Sequence, residues 1–97
     1  MTLLVTDYGI DDSGYQAEAV TNLRLIVAAT ATKHGVEPKD VFGHSRRAPI
    51  ARARQEVMYR ARLMGKSLTE IGKLLRRDHT TIMHGIAAHM KREGISA

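Results

Sequence analysis

Two helix-start signals stand eleven residues apart near the C-terminal end of this chain, and a pair of short packed helices satisfies both. Ser67-Leu68-Thr69-Glu70 has the spacing of a capping box, in which a hydroxyl and a carboxylate take the orphan amides of a new helix. Asp78, ahead of His79-Thr80-Thr81-Ile82, is a good N-cap for a last helix reaching about Met90. The first helix of the pair must therefore end by Leu75, with Arg76-Arg77 as a tight connection. Ile71, Leu75, Ile82 and Ile86 are spaced to lock the two together, and Gly72 supplies a small residue where they approach.

Upstream the same helical period continues. From Gln16 to about His34, Val20, Leu23, Ile26 or Val27, and Ala31 recur at steps of three and four, and Gly35 stands where a left-handed C-cap belongs. Glu37–Phe42 fits one short helical turn with Pro38 near its start. Gly43–Ala48 is small, polar and basic without periodicity, so a loop is expected. Pro49 then opens a second long helix, Ile50–Met64, with Ala53, Val57, Ala61 and Met64 on its apolar stripe. Arg52, Arg54, Arg60 and Arg62 are expected mostly outside. No segment keeps a period of two, so no sheet is expected.

The chain has 97 residues, room for one core. With one Phe, three Tyr and no Trp, that core must be aliphatic, as in packed helices. The fold class expected is therefore all-α, a compact helical bundle. An acidic leader is expected over residues 1–15 and one domain over residues 16–97. The absence of Cys excludes a disulfide framework and a thiolate metal site. No apolar run approaches the ~20 residues that span a bilayer, and the N-terminus has no basic head of a signal peptide. A cytoplasmic, nucleoid-associated protein is the expectation.

Charge is segregated. Residues 1–20 hold Asp7, Asp11, Asp12 and Glu18 with no Lys or Arg, while the formal net charge of the whole chain is +5. The cationic remainder suits a polyanion. In a helix-turn-helix, the first residues of the second helix reach base edges in the major groove, and here those are Asp78, His79, Thr80 and Thr81. An ordinary capped αα-hairpin is the competing reading. Arg46 lies on a loop suited to a narrow, electronegative minor groove. Arg47, Arg52, Arg54, Arg62, Lys66, Lys73, Arg76 and Arg77 are candidate phosphate partners, which position without reading sequence. His79, His84 and His89 are spaced five apart, a poor metal arrangement, and Ser67, Asp78 and His79 make no credible triad. No enzyme, metal or cofactor is expected.

Ser67-Leu68-Thr69-Glu70-Ile71-Gly72 followed by Arg77-Asp78-His79-Thr80-Thr81-Ile82-Met83-His84 resembles the signature of the C-terminal DNA-binding domain of the bacterial replication initiator DnaA. Val36–Phe42 and Arg52-Ala53-Arg54-Gln55 match the same family in the same order. The resemblance implies a domain-IV-like bundle with a TrpR-like helix-turn-helix over about residues 67–90 and a preceding basic loop. It implies binding to short, asymmetric, AT-rich duplex sites. Asp78, His79 and Thr80 would contact bases in the major groove, with Thr81 beside them on a base methyl or a phosphate. Arg46 would enter the minor groove, and Arg54, Gln55, Leu68 and Thr69 would meet phosphate.

Three departures from the family pattern stand out. The turn before Arg77 is one residue shorter, with Arg76 where the family prefers Gly. His44, Ala48 and Pro49 occupy loop places that are often basic or hydroxylated. No Gly-rich phosphate loop of the pattern Gly, four residues, Gly-Lys-Ser/Thr occurs in the 97 residues, so a freestanding reader without the ATPase module is expected. The leading expectation is a sequence-specific double-stranded DNA-binding protein serving as a transcriptional regulator, its acidic leader available to a protein partner. A replication accessory competing for initiator boxes, and a protein-interaction module without DNA binding, are the alternatives.

Overall fold

The computed structural model describes residues 12–95, with side chains described from Asn22 onward. Five helices follow one another: α1 (Asp12–His34), α2 (Pro38–Phe42), α3 (Ala48–Leu63), α4 (Leu68–Leu75) and α5 (His79–Glu93), with no strand among the described residues. α1 begins at Asp12, ahead of the Gln16 that apolar periodicity marks, so Asp12–Tyr15, read as part of the leader, belong to the helix. Residues 1–11 of the acidic leader lie outside the described residues, and with them most of the stretch assigned to a partner. α5 runs past Met90 to Glu93 and stops at Gly94. α1 ends where Gly35 turns left-handed at φ 69°. There the Gly35 amide donates to the Thr32 carbonyl at 3.1 Å and the Val36 amide to Ala31 at 3.0 Å.

α3 is the centre, with α1, α2, α4 and α5 all packed on it. Leu23, Val27 and Ala31 of α1, Val41 of α2, Ala53, Val57, Met58 and Ala61 of α3, and Ile71, Leu75 and Ile82 of the final pair form one buried cluster. Ile86 packs against its edge, as the spacing of the lock requires. Each fully buried Ile or Leu contributes about 1.5–3 kcal/mol of apolar burial. Two expectations for α3 fail. Met64, read as core, is the C-cap residue and 47% exposed, because the helix ends one residue before the stripe reaches it. Arg54, read as outward-facing, is 8% exposed, because it shares the face of Ile50, Val57 and Ala61.

The shortened α4–α5 turn works by two devices. Arg76 adopts the left-handed conformation, φ 57° and ψ 47°, where a glycine would sit without strain. The chain then doubles back, and the Arg77 amide donates to the Gly72 carbonyl at 2.9 Å. The approach is so close that a Cβ on Gly72 would run into the Arg77 carbonyl oxygen. Gly85 plays a similar part where α5 crosses α3, but there the obstacle is the flexible Met58 thioether.

α1 is tied to α3 by a buried acid. Glu56, 4% exposed, accepts from Lys33 Nζ at 2.9 Å and from Arg60 Nε at 2.7 Å, and lies 2.8 Å from His34 Nε2. Burial alone would raise its carboxyl; the bonds from His34, Lys33 and Arg60 outweigh burial and bring it down to about 2.

Two measurements test this account. In urea denaturation, Arg76→Gly should raise stability by about 1 kcal/mol as left-handed strain is relieved. Gly72→Ala should lose roughly 1–3 kcal/mol and exceed the loss from Gly85→Ala, since a backbone carbonyl cannot move aside as a thioether can. The second follows the acid limb. A depressed folded pKa means that the Glu56 contribution is present above the unfolded value and lost as pH falls from about 4.5 towards 2. Glu56→Gln should therefore cost on the order of 1–3 kcal/mol at neutral pH and flatten stability across that window.

Candidate nucleic-acid interface

The tip of α5 is built by its cap. Asp78 has extended backbone, and its Oδ1 accepts from the Thr80 amide at 2.6 Å and the Thr81 amide at 3.2 Å. Those two amides hold the Asp78 carboxyl below its usual range. Ile82 is fully buried and anchors the first turn of α5, while Asp78, His79, Thr80 and Thr81 ahead of it are all exposed. Met83 and His84 continue that exposed face. Asp78 thus commits Oδ1 to the fold, and its exposed carboxylate can also accept from an exocyclic amine. His79 and the two threonines offer ring nitrogens, hydroxyls and methyls, the chemistry that major-groove edges complement.

α4 is held by the capping box read from sequence: the Glu70 amide donates to Ser67 Oγ at 3.0 Å and the Ser67 amide to Glu70 Oε1 at 2.8 Å. The box does not engage the Leu68 and Thr69 amides of the first turn, for which helix geometry provides no intrahelical partner. The Leu68 side chain packs on the core, so only its backbone is available there. Thr69, Lys73, Arg76, Arg77, Asp78 and His79 line one shallow recess beside the turn.

The basic loop is joined to the α4–α5 turn through Arg77. Arg46 and Arg47 are exposed on it, and the Arg47 amide is bonded to Ser45 Oγ at 3.3 Å. The loop rests on Arg54. Its Nε donates to the Val41 carbonyl at 2.9 Å, Nη1 to Ser45 at 3.0 Å, and Nη2 to Asp40 and Gly43, each at 3.0 Å. At the end of α2 the Asp40 carbonyl already accepts from the Gly43 amide at 3.2 Å, and Arg54 adds a second donor there while also taking the Val41 carbonyl. Four of the five N–H groups of Arg54, expected from sequence among the phosphate partners, are spent in this way. Arg77 is half-buried and donates to the Leu75 carbonyl at 2.7 Å and to the Gly43 carbonyl. Burial first, and then the neighbouring Arg77, push the Arg54 guanidinium below its ordinary value; burial does the same to Arg77.

Gln55 lies in a groove between α3 and α5 that Thr81 and His84 also line, and its Oε1 accepts from Arg92 of the last turn of α5. Its amide N–H groups remain available as donors. Sequence reasoning missed Arg92; a cation at the end of α5 is the only signal it carried. His89, grouped by spacing with His79 and His84, is buried with its ring 4.9 Å from that of Tyr59. Among the described residues, no group of three or more His, Cys, Asp or Glu is placed to hold a metal ion. None of the described helices is long and apolar enough to cross a membrane.

The cap gives a direct test. Asp78→Ala should lower Tm at neutral pH more than Asp78→Asn, which keeps an acceptor for the Thr80 and Thr81 amides. Because the carboxyl is held low, its advantage over Asn is present above the usual Asp value and lost as pH falls below it. Thermal melts of the three proteins between about pH 7 and pH 2 report this convergence.

The bacterial DnaA protein helix-turn-helix family model matches residues 23–88. A chromosomal replication initiator protein DnaA from Paraburkholderia xenovorans (strain LB400) is 36% identical over 88 residues, 89% of this chain and 16% of that protein. Its counterpart from Paraburkholderia phymatum is 43% identical over 70 residues, 70% of this chain and 13% of that protein. That from Cereibacter sphaeroides (strain ATCC 17029 / ATH 2.4.9) is 47% identical over 58 residues, 58% of this chain and 13% of that protein. The chain thus spans between about one eighth and one sixth of the length of these relatives. No solved structure matches it. With the match covering α2, the loop, α3, α4 and most of α5, the chain belongs to the bacterial DnaA helix-turn-helix family.

Proposed function

We propose that this domain binds double-stranded DNA sequence-specifically, with the tip of α5 in the major groove and the Gly43–Arg47 loop in the adjacent minor groove, and that it acts as a transcriptional regulator. The observation that carries the reading is the exposure of Asp78, His79, Thr80 and Thr81 at a capped helix start that fully buried Ile82 anchors to the core. Membership in a family whose relatives are named as chromosomal replication initiators supports it.

Each group has a part. Asp78 Oδ2 accepts from an exocyclic amine, His79 and Thr80 read base edges, and Thr81 lies beside them on a methyl or a phosphate. Arg46 enters the minor groove, where a narrow AT-rich stretch concentrates negative potential. The Leu68 and Thr69 amides, the Gln55 amide, Arg47 and Arg76 meet phosphates and set the register. Arg77 adds its charge there. In this reading the acidic stretch from Asp7 to Glu18 recruits a protein partner.

Enrichment of duplexes from a random pool at about 0.15 M salt tests the proposal. A short, asymmetric, AT-rich motif should emerge. Thr80→Ala and His79→Ala should each flatten one or two positions of it, at about 1–3 kcal/mol per lost contact. Arg76→Ala should weaken binding to every duplex alike and reduce the salt slope by roughly one. Enrichment of no motif, or of one indifferent to Thr80→Ala, would show that the tip does not read bases.

A further inference from the structure

The loop that carries Arg46 has no regular structure of its own, yet two-groove binding needs it at a fixed place relative to α5. Two guanidiniums from different elements hold its backbone. Arg54 reaches up from α3 to the carbonyls of Asp40, Val41, Gly43 and Ser45. Arg77 reaches across from the α4–α5 turn, 34 residues away in sequence, to the same Gly43 carbonyl, while its other terminal nitrogen holds Leu75 of its own turn. Among the described residues, no carboxylate lies within 4.0 Å of either guanidinium, so main-chain oxygens are the partners of both. Arg77 is also covalently joined to Asp78, the cap of α5. One residue is thus bonded to the loop and bonded to the tip.

We propose that Arg77 is a positioning residue for two-groove recognition: its fork bridges the Leu75 and Gly43 carbonyls and so fixes where Arg46 stands relative to His79, Thr80 and Thr81. The inference rests on the DNA-reading proposed above and deepens it. It changes what is expected at Arg77. A phosphate contact asks for positive charge, which Lys supplies. A bridge between two carbonyls asks for a planar fork, which Lys does not. The bridge also makes the value of Arg77 depend on Arg46, since placing the loop matters only while the loop carries its groove-reading side chain.

A double-mutant cycle on the enriched duplex, measured over a series of salt concentrations, decides between these roles. Arg77→Lys should weaken binding roughly tenfold with an unchanged salt slope, and by less than about twofold once Arg46 is Ala. Melting curves should show both proteins folded. In the free wild-type protein, the amides of His44–Arg47 should be as rigid by NMR relaxation as those of α4, a measurement that needs no variant. Full affinity for Arg77→Lys, equal losses with and without Arg46, or a mobile loop in the free protein would each overturn the bridge. Wild-type protein that binds the enriched duplex while the losses add would leave DNA reading intact and remove only this inference. Wild-type protein that binds no duplex would overturn both.

Discussion

A guanidinium beneath a loop, with four main-chain oxygens turned towards it, decides where the functional half of this domain can lie. Without Arg54 the carbonyls of Val41 and Ser45 would need water, and the Gly43–Arg47 segment would be held to the globule chiefly through Arg77. With it, a stretch that has neither helix nor strand becomes a defined surface. The charge is not neutralised by an acid; it is solvated by the backbone. That keeps the region electropositive while satisfying every buried polar atom of the Arg54 side chain, a combination that a buried ion pair would not give.

The two halves of the molecule use charge in opposite ways. Where α1 meets α3, Glu56 gathers Lys33, His34 and Arg60, and the local field cancels. Around the loop and the α4–α5 turn, Arg46, Arg47, Arg54, Arg76 and Arg77 cluster without a counter-ion within salt-bridge distance among the described residues. Segregation of this kind directs a net positive domain to present one face to a polyanion. It also explains why charge counts over sequence segments mislead: Arg60 and Arg76 are equal in composition and unlike in setting.

Local chemistry made the helix-turn-helix readable in advance. The Ser67–Glu70 box, the Asp78 cap and the Ile71–Leu75–Ile82 lock depend on spacings of a few residues, and all stand as their side chains require. What escaped was decided at long range. Arg54 occupies a core-facing position at helical spacing from Ile50 and Val57, but an arginine there reads as surface until α2 supplies the carbonyls that make burial tolerable. Glu56 escaped for the same reason, its partners Lys33 and His34 lying on another helix. The Arg77–Gly43 bond has no sequence signature at all. At Met64 the error ran the other way, because periodicity persists one residue beyond the helix that would give it meaning.

The central place of α3 has a consequence for how the molecule comes apart. Each of the other four helices rests on it, so none can detach without uncovering part of the same cluster. Such an arrangement offers few partly open forms of low energy, and opening becomes a collective event. The surface that meets a partner is therefore bolted to the same beam that keeps the fold shut.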